Sequence, residues 1–472
     1  MSTTHATDVL IVGAGGAGMA AAIEAAGQGA RVAVLDAAEE VGGTARTAGG
    51  GTFIAGSPLH ERLGFDDSPA KALEDWLAWG GEAVDVEWAR RYVEASVPDL
   101  YVWLAGLGVE WVGVHQNEGN RVPRWHAPGD GGLGVIRALE RAARAERLIS
   151  WHFRTRMTDL VMAAGRVVGL LSEGPEGPRE YRAEAILIAS GGFNNNPEMV
   201  RQHASNLPPG SRILLGGGYG ALGQGHKILE RVGAQFVNMD AIWMYPYATP
   251  DYQDPDGLRG LVCRGLEGDL WVNRQGERFH NEDLRGGATG AVALLRQEPA
   301  SCWSIIDARI AARYNVAHPR YRHGSTALRD RLWELLDESP FIARGDTPRE
   351  LAVAAGLDGA LGETISAHNR RLAAGLETDP DFGRSLKGLE PLAEPPFYAI
   401  QFFPLARKNL GGVRTDLSCR VLDNQDRPIP GLFAAGEVAG MAGGRINGRA
   451  ALEGTMFGPS IFSGRVAGRS MG

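Results

Sequence analysis

The stretch GERFHNEDLRGGATG (residues 276–290) sets Arg278, His280, Glu282, Asp283 and Arg285 among glycines. Such a segment reads as a loop. Its Arg285 is either a solvated surface cation or one presented on the lid of an active site. A guanidinium carries only donors and has a pKa above about 12. It can hold an anion or give a proton to a carbanion. To take a proton it needs help from an acid, which Glu282 or Asp283 would supply. The plainer reading has those acids pair with Arg278 or Arg285. His280 reads as structural.

A second constellation lies near the amino end, in DVLIVGAGGAGMAAAIEAAGQGARVAVLD (residues 8–36). A short apolar run precedes Gly13-x-Gly15-x-x-Gly18, an Ala-rich helical stretch follows, and RVAVLD reads as a second strand ending at Asp36. Gly13 permits the tight turn, Gly15 lets backbone approach a pyrophosphate, and Gly18 lets helix and strand pack closely. Gly16 and Ala17 open the helix, whose free N–H groups and positive dipole end suit phosphates. Asp36 stands where an acid accepts hydrogen bonds from ribose hydroxyls. These residues together point to a bound dinucleotide.

The next segment, EEVGGTARTAGGGTFIAG (residues 39–56), is a second glycine-rich loop with Gly43, Thr44 and Gly50 as candidate contacts. Backbone lying against a flat ring, or a second phosphate contact, favours FAD over NAD. AEAILIASGGF (183–193) and GLFAAGEVAG (431–440) read as strands that return to the dinucleotide much later. Ala189, Gly191, Gly192 and Asn195 follow the first. Gly436 and Glu437 follow the second. A flavin domain interrupted by other sequence is the expected result.

The whole chain has 472 residues, 44% hydrophobic and 22% charged, with a net charge of -8. That is a soluble globular composition for one large or two moderate domains, and it argues against broad nucleic-acid binding. The three cysteines, Cys263, Cys302 and Cys419, show no metal or haem spacing, and a reduced cytoplasmic setting is expected. MSTTHAT does not read as a signal peptide, and no run of eighteen apolar residues predicts a membrane span. RMTDLVMAAGRVVGLLSEGPEGPREYRAEAILIAS reads as a β-meander feeding a parallel strand. TALRDRLWELLDE and LGETISAHNRRLAAGL have helical spacing.

Taken in order, GGTARTAGGG, HAPGDGG, ILIASGGF, NRQGERFHNE, PPFYAI, NLGGV and GLFAAGEV resemble the flavoprotein family of fumarate reductase and succinate dehydrogenase. That family includes the soluble fumarate reductases and the 3-ketosteroid Δ1-dehydrogenases. The resemblance covers nearly the whole chain. It implies an α/β fold: a discontinuous Rossmann-like FAD-binding domain (1–235 and 386–472) with an inserted α+β capping domain (236–385). In membrane-bound members a histidine in the second glycine loop holds FAD covalently. No histidine lies near Gly43 here, so non-covalent FAD is expected. The segment ALEGTMFGPSIFSGRVAGR implies a helix starting near Thr455, its N-terminus aimed at the flavin pyrimidine, with Ser460 and Ile461 as contacts. With no haem or iron–sulfur ligands in the sequence, an external electron acceptor is expected.

The family reaction moves hydride between flavin N5 and a carbon β to a carbonyl or carboxylate, while a side chain moves a proton at the α carbon. The resemblance gives Arg285 that proton. In the ketosteroid enzymes a tyrosine stands near this place, so Arg285 argues against a steroid. The dicarboxylate residues of the reductases are altered. Tyr245 replaces a histidine, with Tyr247 and Trp243 close by; Gly260 and Leu261 replace a Thr-Glu pair; Lys408 replaces a second histidine. Arg445 and Arg449 are both candidates for the last carboxylate arginine. Arg407 reads as a solvated basic residue. Tyr245 would donate to a ketone oxygen. His126 resembles a loop residue beside the flavin, with a satisfied structural histidine as the alternative. The expectation is a dehydrogenase that desaturates a small cyclic ketone or keto acid. The alternatives are an ene-reductase of an unsaturated carboxylate and a flavoprotein without turnover.

Overall fold

Four-residue runs without a polar side chain, Val9–Val12, Val32–Leu35 and Ala185–Ile188, form strands buried along their whole length. Burial on both faces is what a parallel sheet covered by helices demands. In the computed structural model, which describes residues 4–321 and 326–472, they are the centre of a six-stranded sheet. Its order is Arg420–Leu422, Pro428–Ala434, Ala185–Ile188, Val9–Val12, Val32–Leu35, Ile149–His152. Every neighbouring pair is parallel except the first, which is antiparallel. Val12 stands opposite Leu35 and Ile188, Leu35 opposite His152, and Ile188 opposite Ala434. The carboxyl ends of the parallel strands are therefore level.

The helix Gly16–Gly27 leaves the first strand and packs on the helix Phe457–Met471. Small residues make this contact close. A Cβ on Gly464 would overlap Ala17 O, and one on Gly468 would overlap Ala21 O. The expected meander is present as the antiparallel strands Arg156–Ala163, Arg166–Gly174 and Gly177–Arg182. The helix Val86–Ser96 widens into a π-turn over Val97–Val102, where Pro98 has no N–H to give the regular ladder. All of this belongs to a unit made of Met1–Ala204, Gly217–Trp243 and Lys408–Gly472.

The other unit comprises Ser205–Gly216 and Met244–Arg407. Its eight-stranded sheet is built around Phe397–Asn409, which lies between Cys302–Ile306 and Ile242–Pro250. Residues 386–407 cluster with this unit through that strand. Leu270–Val272 pairs antiparallel with Cys302–Ile306, which puts Trp271 opposite Ser304. Trp271 is fully buried and meets Phe402 edge to face at 5.8 Å. The helices Thr326–Glu338 and Leu361–Ala373 fall on the two stretches whose spacing is helical. Among the described residues no helix is long and apolar enough to cross a membrane.

Candidate active site

The level strand ends are stitched together one residue further on. Gly13 N–H donates to Leu35 O (2.7 Å), Ala189 N–H to Val12 O (2.8 Å), Ala435 N–H to Ile188 O (3.1 Å) and Asp36 N–H to His152 O (3.0 Å). This brings the loops after Val12, Leu35, Ile188 and Ala434 side by side, at the end of a parallel sheet where ligands bind. Gly13 has φ +108°, and a Cβ there would strike the Ala189 carbonyl. A Cβ on Gly18 would overlap Gly13 O. Gly15 is different: a Cβ there would have no atom within 4 Å. A Cβ on Gly43 would have only Gly15 Cα, at 3.9 Å, within that distance. The two loops join through a bridge between Gly15 and Gly42 and the bond from Gly42 N–H to Ala14 O (2.8 Å). They leave a cradle of bare backbone.

Asp36 accepts from Ala14 N–H at Oδ2 (2.7 Å) and from Ala38 N–H at Oδ1 (2.8 Å). These bonds fix the carboxylate at the strand end and leave further lone pairs for hydroxyl donors. Gly191 is as open as Gly15. Gly192 is closed, since a Cβ would meet Asn409 Oδ1 and Glu437 Oε1. Glu437 Oε1 accepts from Asn194 Nδ2 (3.1 Å) and Asn409 N–H (3.2 Å). Asn195 donates to Tyr219 O (3.2 Å). Thr44 packs against Gly218, Gly16 against Ile461, and Gly436 against Ala17. Gly50 packs on the backbone of Gly131 and Gly132, where the helix Gly131–Ala145 begins.

The helix Phe457–Met471 starts two residues after Thr455, with Met456 at its N-cap and no side chain capping it. The Thr455 hydroxyl donates to Leu452 O (2.6 Å), and Ser460 Oγ donates back to Met456 O (2.7 Å). The positive end of a helix dipole is thus left for an electron-rich ligand. Two polar atoms flanking the Gly191 loop, Ser190 Oγ and Asn194 Oδ1, are buried without a partner among the described residues. The open backbone, the placed carboxylate and these orphaned atoms fit a flavin dinucleotide.

Two further orphans belong to this unit. Trp243 Nε1 and Arg445 Nε are buried and find no acceptor among the described residues. Arg449 instead grips Asp240 with two bonds, of 2.7 and 3.2 Å. Arg445 therefore has the free donor that a ligand anion needs, and Arg449 has its partner. Lys408 is half-buried at the end of Phe397–Asn409. His126 is fully buried, with Nε2 on Ser57 Oγ (2.7 Å) and Nδ1 on Arg124 O (2.9 Å). Burial brings its pKa down to about 4, so at neutral pH it is an uncharged, satisfied core residue.

In the other unit, Arg285 donates from Nη2 to Asp269 Oδ1 (2.5 Å) and lies over the Trp271 ring at 5.6 Å. Asp269 is fully buried; its Oδ2 accepts from Ser304 Oγ (2.5 Å) and Trp271 Nε1 (3.0 Å). Burial opposes the charge on Arg285. The charge and hydrogen bond of Asp269 outweigh it and raise the arginine's pKa. The two nearer acids serve elsewhere. Glu282 binds Arg278 through two 2.7 Å bonds and Arg384 at 3.1 Å. Asp283 accepts from Arg384 at 3.0 Å. Asp269 is the residue that sequence reading passes over; its only signal is an acid directly before the apolar run Leu270–Val272. His280 donates to Leu284 O (2.8 Å) and braces the loop.

Tyr245 and Tyr247 sit two apart on Ile242–Pro250 and so point to one side of the strand. Their rings stack at 5.3 Å, and the Arg264 guanidinium lies 4.8 Å from the Tyr247 centroid. Arg407 donates to Gly216 O and is held by backbone.

A dinucleotide cradle at the ends of a parallel sheet and an uncapped helix beside it define a flavin-dependent oxidoreductase. Residues 8–455 match the family described as FAD binding domain, and the chain belongs to that family. It is 30% identical to the KsdD-like steroid dehydrogenase of Mycobacterium tuberculosis, over 98% of this chain and 95% of that protein. The NADH:fumarate oxidoreductase of Klebsiella pneumoniae is also 30% identical, over 98% of this chain but only 48% of its own length. The solved 3-ketosteroid-Δ4-(5α)-dehydrogenase of Rhodococcus jostii RHA1, in complex with 4-androstene-3,17-dione, superposes with a TM-score of 0.76 at 28% identity. That match spans 99% of this chain and 97% of that one. The chain is an FAD-dependent oxidoreductase of the fumarate reductase type, acting on CH–CH groups.

Proposed function

We propose that the protein desaturates the bond between the α and β carbons next to the carbonyl of a small cyclic ketone or keto acid. The observation that carries this reading is Arg285, held in one geometry by Asp269 and Trp271 yet still 24% exposed. Arg285 handles the proton at the α carbon. FAD, which the open backbone at Gly15 and Gly43 and the Asp36 carboxylate would hold without a covalent bond, would supply the acceptor for the hydride that leaves the β carbon. Tyr245 donates to the ketone oxygen and stabilises the enolate that forms as the proton departs. The paired tyrosines make a flat surface suited to a ring. Arg445 and Lys408 hold one anionic group where the substrate has one, and Trp243 N–H supports the same ligand. An external acceptor then takes the electrons, and the cytoplasm is the expected place of work.

The reverse reaction, saturation of an unsaturated carboxylate, has one observation in its favour. Arg285 is kept in its protonated form by Asp269, so it carries the proton that this direction delivers to the α carbon. Similarity to the NADH:fumarate oxidoreductase points the same way. Direction is tested by anaerobic flavin absorbance. The oxidised enzyme is titrated with cyclohexanone, a 2-oxo acid, succinate and a 3-ketosteroid, and the dithionite-reduced enzyme with their unsaturated counterparts. Bleaching by a saturated ketone or keto acid is expected. Reoxidation by fumarate with no bleaching by any saturated compound reverses the assignment.

A further inference from the structure

A cavity of about 190 Å³ opens at the outer edge of the six-stranded sheet. It lies between the end of the edge strand Ile149–His152 and the tip of the hairpin that joins Arg166–Gly174 to Gly177–Arg182. None of the residues lining it belongs to the dinucleotide cradle, to the helix Phe457–Met471 or to the loop of Arg285. Its two walls differ. On the strand side the Trp151 and Phe153 rings stand nearly parallel, 5.7 Å apart and inclined by 9°. Both are half-buried. On the hairpin side stands Arg179, paired with Glu176 three residues earlier; Arg179 is 30% exposed and Glu176 69%. An ion pair with so exposed a carboxylate is weak, so a second carboxylate can take its place. The other polar groups are used within the protein. Tyr181 O–H meets His152 Nδ1 at 3.2 Å, Thr155 O–H donates to Phe153 O at 3.0 Å, and Ser172 O–H donates to Arg179 O at 3.5 Å. Burial lowers the His152 pKa, and the positive charges of His5 and Arg179 lower it further. At neutral pH that imidazole is uncharged, and Arg179 is the cation lining the cavity.

A flat apolar wall facing a guanidinium sets the chemistry of what fits. Aromatic faces take another ring, and a guanidinium matches a carboxylate with two parallel hydrogen bonds. We infer that this cavity is a second ligand site and that it binds a small aromatic carboxylate. The ring rests against Phe153 and Trp151, and the carboxylate displaces Glu176 from Arg179. The site is joined to the cofactor end by backbone. Asp36 N–H donates to His152 O (3.0 Å), and Thr155 N–H donates to Asp36 O (2.8 Å). A ligand seated here steadies the strand end that holds the Asp36 carboxylate, so it and FAD strengthen each other's binding. The inference is independent of the substrate and direction of the reaction proposed above.

Benzoate is the probe. Its binding to the FAD-loaded protein is measured by titration calorimetry for wild type, Arg179→Ala and Glu176→Gln, with melting temperatures recorded alongside. Benzamide lacks the charge and cyclohexanecarboxylate lacks the flat ring; both are expected to bind more weakly than benzoate. Arg179→Ala is expected to weaken benzoate about tenfold or more, since a hydrogen-bonded charge is lost. Glu176→Gln is expected to tighten it about two- to fivefold, because the competing carboxylate is gone. FAD is expected to leave the wild type more slowly during gel filtration in benzoate than without it. No binding to wild type, or equal affinity in the three proteins, overturns the inference; equal affinity means that benzoate sits elsewhere. Cyclohexanecarboxylate binding as tightly as benzoate overturns the aromatic part. Should Arg179→Ala melt early, Glu176→Gln decides: unchanged or weaker binding contradicts displacement of Glu176. FAD released at the same rate with and without benzoate overturns the link to Asp36.

Discussion

Arg285→Ala yields a yellow, folded protein that no longer transfers electrons from substrate to flavin. The guanidinium is the proton carrier in this account, and loss of a positioned acid–base group costs about 10²–10⁴-fold in rate. The fold survives because Arg285 belongs to a loop and Asp269 keeps two other donors, Ser304 Oγ and Trp271 Nε1. Stability still falls, since a buried carboxylate has lost its cation, a change worth about 3–5 kcal/mol in full burial. Arg285→Lys separates the two effects. Lysine restores charge and much of the melting temperature but lacks the second nitrogen of the fork, so turnover stays low. Flavin absorbance, melting temperature and anaerobic reduction rate measured on all three proteins check this. Wild-type turnover in Arg285→Ala would remove the residue from the reaction.

Gly15→Ala and Gly18→Ala are expected to part company completely. Both are one-methyl changes in the same turn. Gly15 has φ −77° and ψ −173°, extended backbone that alanine adopts without strain, and its added Cβ meets nothing within 4 Å. Gly15→Ala should therefore fold with a normal melting temperature. Its methyl, however, occupies the space through which backbone approaches the pyrophosphate. Overpacking of this kind costs about 1–3 kcal/mol, a ten- to hundredfold weaker FAD affinity. With FAD held non-covalently, as proposed above, that loss appears as colourless protein after gel filtration. Gly18→Ala places its Cβ on Gly13 O and should not fold at all. Gly15→Ala that binds FAD as wild type does would mean the cradle is not where the pyrophosphate lies.

The cradle was legible in the sequence because its chemistry is local. Gly13, Gly15, Gly18 and Asp36 belong to one strand–turn–helix–strand unit, and turn geometry dictates residue type there. The structure then separates glycines that sequence treats alike: Gly15 and Gly43 are open, while Gly50 and Gly192 are closed against protein. The substrate side was less legible because its partners are distant. Asp269 meets Arg285 across 16 residues, and Ser304 reaches Asp269 across 35, through strand pairing that no spacing rule foresees. Arg445 and Arg449 are equivalent by spacing; Asp240, 209 residues away, claims only Arg449. His126 was ambiguous until Ser57, 69 residues upstream, was seen to take its Nε2. The helix expected near Thr455 begins at Phe457, and the Thr455 hydroxyl turns back to Leu452 instead of capping it.

The central claim is that Arg285 and FAD together remove one proton and one hydride from adjacent carbons beside a carbonyl. Its most direct test is a single-turnover anaerobic reaction between purified oxidised enzyme and the panel ketone or keto acid, with flavin absorbance and product mass read from one sample. The account predicts one molecule of product, two mass units lighter and carrying a conjugated double bond, for each flavin bleached. Bleaching with a product oxidised at oxygen or nitrogen, its carbon–carbon bond still saturated, would contradict it.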